Sequence, residues 1–191
     1  MNLPNKLTIL RICMIPVFMV FLCIPLPLPD WAIRVIAAVI FALTALTDML
    51  DGKIARKYNL VTDFGKLMDP LADKIMVFSA MLGILLYCAD LRYVFVWAAL
   101  IVIAREMGVT SLRLLAASKG GEVIAAAWLG KVKTCTQIAC ILLVLLEPVI
   151  LPFPLFAGTH LLSYVSTAAM VVMTVWSGVD YFRSYAKYLK G

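Results

Sequence analysis

A chain of 191 residues with 64% hydrophobic side chains and a mean hydropathy of +1.01 is too greasy for a soluble domain, where about 45–50% apolar is usual. The excess runs the whole length, with no polar linker or low-complexity segment, so the class is a polytopic membrane protein with a single domain over 1–191. The net charge of +6 does not indicate nucleic acid, because no basic tail is clustered, and the five cysteines show neither zinc-like spacing nor a disulfide framework.

Apolar runs of about 20 residues mark spanning helices. Six are predicted, over 7–28, 31–56, 70–89, 92–117, 123–146 and 159–183, giving an all-α membrane fold. The first could be mistaken for a signal peptide, since Lys6 and Arg11 precede it. Pro16, Pro25, Pro27 and Pro29 break the run, however, and no A-x-A site follows. Turns at 25–30, 87–92 and 147–158 fall on one side of the membrane. Turns at 58–66 and 118–122 fall on the other, with both termini. Only Arg34 and Arg92 lie on the first side; the other fifteen of the seventeen Lys and Arg lie at or near the second. Cytosolic loops carry the Lys/Arg excess, so the second side is expected to be cytosolic.

Between the second and third spans, residues 47–74 concentrate five aspartates at that face. Asp48 and Asp51 stand three apart and Asp69 and Asp73 four apart, so each pair shares a helix face. Pro70 suits a first helical turn, with Asp69 as its cap. Asp63 fits neither pair and reads as a loop residue. Either pair alone would read equally well as a solvated loop paired with Lys53, Lys57 and Lys66. Four converging carboxylates instead call for a cation, and an all-oxygen donor set with no His or Cys favours magnesium, manganese or calcium. Four carboxylates suit two divalent ions about 4 Å apart, a clamp used for displacement at phosphorus. Gly52, Ala55 and Arg56 fall on the side of the first pair, leaving room for a flat group and offering a fork of donors to a phosphate. Gly65 joins the second pair if the third helix reaches back that far.

The stretch has the form D-x2-D-G-x2-A-R-x8-G-x3-D-x3-D, filled at every fixed position by Asp48, Asp51, Gly52, Ala55, Arg56, Gly65, Asp69 and Asp73. It resembles the signature of the CDP-alcohol phosphotransferases. "NLPNKLTILRICMIPVF", "AREMGVTSLRLLAASKG" and "LGKVKT" are similar to segments of the bacterial phosphatidylglycerophosphate synthase branch of that family. The resemblance implies transfer of a phosphatidyl group from CDP-diacylglycerol to sn-glycerol 3-phosphate, with release of CMP. It implies two Mg2+ or Mn2+ ions on Asp48, Asp51, Asp69 and Asp73, with Asp73 also the general base. It places Asn5, Thr8 and Arg11 near the nucleotide, and implies a homodimer in the bacterial inner membrane with its site facing the cytoplasm. Residues 147–191 carry no usable signature.

An acceptor with its own phosphate needs cations. Arg105 and Arg113 lie about two turns apart near the cytosolic end of the fourth span, and Lys131 and Lys133 interrupt the fifth. Cations within a span point into a cavity or snorkel to headgroups. Residues two apart fall on nearly opposite helix faces, so one of the two lysines is expected at the acceptor phosphate, without indication of which. Glu106 is a possible partner for Arg105. His160 and the four tryptophans are assigned no chemistry. Another acceptor (inositol phosphate, phosphatidylglycerol or serine) stays open within the family. A divalent-cation transporter is the alternative of a different class; the acidic cluster at one face, not the midplane, and the lack of an inverted repeat stand against it.

Overall fold

The computed structural model describes residues 2–58, 62–118, 128–151 and 159–189, without the side chains of 53, 55–57, 66 and 187–189. The helices are α1 (Leu3–Cys23), α2 (Asp30–Lys57), α3 (Asp63–Tyr87), α4 (Arg92–Ser118), α5 (Trp128–Ile150) and α6 (Leu161–Leu189), with a 3-10 turn at Ala89–Leu91 before α4. There is no strand among the described residues. All six helices are long and apolar enough to cross a membrane. The start predicted for the fifth span, at 123–127, lies outside the described residues.

Several predicted edges move, each for a local reason. α1 stops at Cys23 rather than near 28, because Pro25, Pro27 and Pro29 each lack a backbone donor. Pro29 then serves as the N-cap of α2. The largest correction is at α3, which begins seven residues before the predicted start. Its cap is Thr62, whose Oγ1 accepts from the Gly65 N–H at 3.1 Å. Pro70 therefore sits inside the helix rather than in its first turn, and Asp69 does not cap it. α5 likewise runs past Glu147 and through Pro148, in place of a predicted turn.

The order of packing follows from burial. α1 lies against α2 and α3, α5 against α2, α3 and α6, and α4 against α3 and α6. Ile15, Phe18 and Leu22 of α1 meet Phe41 of α2 and Met76, Met81 and Ile84 of α3 in the main core, which α4 and α5 extend through Phe95, Val102, Ile141 and Leu145. The α1–α3 contact is close. A Cβ on Gly83 would stand 2.8 Å from Leu22 Cδ1, the small-residue approach usual between membrane helices. The outward surface is apolar too, with Trp97, Leu100, Leu114, Val165 and Val172 among the exposed side chains. This two-sided apolar pattern suits lipid.

Glu147 explains how α6 is joined to α5. It is 5% exposed. Its Oε1 accepts from the Leu162 N–H at 2.8 Å, and its Oε2 accepts from the Ser163 N–H at 2.8 Å and from the Ser163 hydroxyl. A carboxylate of α5 thus satisfies the first donors of α6 and meets the positive end of its dipole. Replacing Glu147 by Ala leaves those buried groups unpaired, at about 1–3 kcal/mol for each unsatisfied group. The expected outcome is a clearly lower thermal midpoint in detergent with helical content retained; an unchanged midpoint contradicts this role.

Candidate active site

Contacts gather the predicted site residues at one end of the bundle, where α1, α3 and α5 begin and α2, α4 and α6 finish. Arg11 of α1 is fully buried. Its Nη1 lies 2.6 Å from Asp48 Oδ1, and its Nη2 donates to Asp51 Oδ2. One planar fork therefore spans the two carboxylates of α2, a geometry a lysine cannot reproduce. Thr8, one turn earlier, donates through Oγ1 to Asp69 Oδ1 of α3 at 2.8 Å. Asn5, earlier still, accepts at Oδ1 from the Thr62 hydroxyl at 2.9 Å. Asp51 lies within electrostatic reach of Asp48 and Asp69, and Asp73 within reach of Asp48 and Glu106. The two carboxylate pairs are thus brought to one end as the spacing predicts, and α1 holds three of the four.

The donor set can be judged against a divalent ion. No three His, Cys, Asp or Glu side chains among the described residues stand close enough to enclose an ion unaided. The chemistry nevertheless fits a hard cation. All four donors are carboxylates. Arg11 engages one oxygen of each of two of them, and an ionised carboxylate offers about four lone-pair sites. Among the described residues the buried Asp73 Oδ1 has no hydrogen-bond partner, the kind of orphaned acceptor a cation satisfies.

The motif residues beside the carboxylates divide. Gly52 is half-buried in the last turns of α2. Ala55 and Arg56 belong to α2, but their side chains lie outside the described residues. Gly65 falls within α3, as its alignment with Asp69 and Asp73 requires. A Cβ there would stand 3.3 Å from Thr62 Oγ1, 3.4 Å from Asn5 Oδ1 and 3.6 Å from Asp69 Oδ2. Glycine at this point keeps α1 and α3 close around Asp69.

Asp48 and Asp73 face a cavity of about 920 Å³ whose polar wall also includes Lys74, Arg105, Glu106, Arg113, Lys131 and Lys133. Leu46, Met49, Ile138 and Leu142 form part of its apolar wall. The two lysines differ as the helical offset predicts. Lys133 is 6% exposed and donates to Glu106 Oε1; Lys131 is exposed while still lining the cavity. Glu106 also pairs with Arg105 at 3.0 Å, so it holds one cation on its own helix, α4, and one on α5. Arg105 and Arg113 both lie over the Tyr181 ring of α6, at 5.3 and 5.0 Å from its centroid. Arg113 Nη2 also donates to the Tyr181 hydroxyl at 2.6 Å.

Two residues and one pairing escape a reading of the sequence. Lys74 donates to Thr110 across the cavity wall; its one signal is a cation directly after Asp73 inside a span. Tyr181 lies in the segment without a signature, and only the packing of α6 on α4 reveals it. The Glu106–Lys133 pair joins residues 27 apart in sequence, beyond the reach of helical periodicity. His160, the only histidine, lies at the opposite end, 3.6 Å from Asp90.

Six membrane-length helices with acidic and basic groups gathered around one terminal cavity define a multi-pass membrane protein with a charged site at one end. A family model described as CDP-alcohol phosphatidyltransferase matches residues 1–179, and the chain belongs to that family. It is 43% identical over 199 residues to the CDP-diacylglycerol–glycerol-3-phosphate 3-phosphatidyltransferase of Bacillus subtilis, covering 99% of this chain and 97% of the relative. It is 41% identical over 180 residues to a probable phosphatidylglycerophosphate synthase of Mycobacterium tuberculosis, covering 94% of this chain and 79% of the relative. To the Escherichia coli CDP-diacylglycerol–glycerol-3-phosphate 3-phosphatidyltransferase it is 34% identical over 184 residues, covering 94% and 92%.

The Tyr181 contacts separate by substitution. Tyr181→Phe removes only the hydroxyl acceptor of Arg113, about 1.5–3 kcal/mol for a bond to a charged group. Tyr181→Leu also removes the ring beneath both guanidinium groups, about 0.5–2 kcal/mol for each cation–π contact. Thermal melts in detergent are expected to rank wild type above Phe and Phe above Leu; equal midpoints for Phe and Leu contradict the cation–π role.

Proposed function

We propose that this protein transfers the phosphatidyl group of CDP-diacylglycerol to sn-glycerol 3-phosphate, giving phosphatidylglycerol phosphate and CMP. The observation that carries the reading is a juxtaposition: Asp73, with an unpartnered carboxylate oxygen, lines the same cavity as Arg105, Arg113 and Lys133. An acceptor seated by its phosphate on those cations presents its hydroxyl to a carboxylate on the same wall. The names of the relatives favour the same acceptor.

In this reading Asp73 takes the proton of the attacking hydroxyl. The acceptor oxygen forms a bond to the lipid-linked phosphorus, and the bond from that phosphorus to the CMP oxygen breaks. An alcohol is a weak nucleophile at neutral pH, and a positioned base contributes about 10²–10⁴-fold. Asp48, Asp51, Asp69 and Asp73 would hold Mg2+ or Mn2+, two ions in all, whose positive charge would offset the charge that develops on the pyrophosphate. Gly52, Ala55, Arg56 and Gly65 form the nucleotide side. Lys133, buried and facing Glu106, is the lysine assigned to the acceptor phosphate, with Lys131 at the cavity's exposed edge. Glu106 keeps Lys133 and Arg105 apart from each other's charge until a phosphate arrives.

The charge asymmetry of the loops supports an orientation with the site and both termini in the cytosol, in the inner membrane of a bacterium. The apolar donor then stays in the bilayer while the acceptor arrives from water. The whole chain acts as one domain, and a homodimer is the proposed assembly.

The test is CMP release by purified protein with CDP-diacylglycerol and Mg2+, offered in turn glycerol 3-phosphate, inositol phosphate, serine or phosphatidylglycerol. Release is expected with glycerol 3-phosphate only, and to fall by about 10²-fold or more in Asp73→Asn. Release only with another alcohol would discard the acceptor, and near-normal turnover of Asp73→Asn would remove it as base.

A further inference from the structure

The buried line of α1 changes character along its length. Ile15, Phe18 and Leu22 enter the apolar core, but its first turns bury Asn5, Thr8 and Arg11. These three are 8%, 1% and 0% exposed. Burying an arginine and two neutral polar groups is costly unless each is paired, and here the partners lie on the neighbouring carboxylate-bearing helices. Arg11 ties Asp48 to Asp51, and Thr8 donates to Asp69. Asn5 accepts from Thr62, the residue that caps α3 and so fixes where Asp69 begins its turn.

We infer that Asn5, Thr8 and Arg11 are positioning residues for the aspartate cluster, acting through the carboxylates rather than on the nucleotide. The inference rests on the reading of those carboxylates as cation ligands. Three features support it. Their low exposure leaves little surface for a substrate. Their contacts reach both α2 and α3, so one helix sets the relative height of ligands on two others. Arg11 and Thr8 take one oxygen of each carboxylate they engage, which fixes the orientation of the group while leaving acceptor capacity for a cation. Outer partners of this kind orient ligands and hold their oxygens in place before the ion arrives. Arg11 adds a buried positive charge that offsets the repulsion between Asp48 and Asp51. A lysine there would offer a point charge to one carboxylate where the guanidinium reaches two.

Mn2+ binding to the full-length protein in detergent, without nucleotide, tests this by the paramagnetic resonance signal of free Mn2+. The expected result is a Kd weakened about 10–100-fold in Thr8→Val, the range typical for loss of an outer partner of a metal ligand, and restored close to wild type in Thr8→Ser. Arg11→Lys is expected to bind more weakly than wild type and Arg11→Met more weakly still. At saturating Mn2+, the KM for CDP-diacylglycerol in Thr8→Val returns towards the wild-type value. Wild-type Mn2+ affinity in Thr8→Val of unchanged circular dichroism, joined to a raised KM for CDP-diacylglycerol at saturating metal, overturns the inference and puts Thr8 on the nucleotide. Absence of Mn2+ binding in wild type overturns the cation reading and this inference together.

Discussion

Carboxylates crowded at the end of an apolar bundle repel one another, and partial burial strengthens that repulsion because water screens it less. Much of that end of the molecule answers this constraint. Arg11 is buried in full to stand between Asp48 and Asp51. Thr8 supplies a donor to Asp69, and Lys133 lies within electrostatic reach of Asp73. Even so, Asp73 retains a buried oxygen without a partner. That unpaired acceptor, rather than the count of acidic residues, is the observation that supports the proposal of a bound cation at this end.

The bundle divides its labour between two groups of helices. α1, α2 and α3 pack together and carry the carboxylates. α4 and α5 carry Arg105, Arg113 and Lys133, ordered by Glu106 and by the ring of Tyr181 on α6. α5 joins the halves by packing on α2, α3 and α6. The cavity lies along this seam, so a group bound to the basic wall faces the acidic one. At the other end Glu147 ties α6 to α5, which anchors the helix that presents Tyr181.

The helices were legible from apolar runs alone, since every backbone group in lipid must be satisfied within its own segment. The motif aspartates were legible because helical spacing is local. The start of α3 was not, because Pro70 and Asp69 imitate a helix start while the true cap, Thr62, is held by Asn5, 57 residues away in sequence. Glu147 resembled a turn residue for the same reason; its partners lie 15 and 16 residues on. Arg11 was expected near the nucleotide, and only the approach of α1 to α2 shows that its fork is engaged by aspartates. What sequence pattern leaves out is the pairing of polar groups across helices.

The measurement that bears most directly on carboxylate repulsion as the organising constraint is the thermal midpoint of wild type and Asp73→Asn in EDTA and then in Mg2+. If repulsion and an unpaired buried oxygen govern this end, Asp73→Asn melts higher than wild type in EDTA, and Mg2+ raises the wild-type midpoint more than that of the variant. A variant that melts lower in EDTA, with equal shifts for both proteins in Mg2+, would contradict the account.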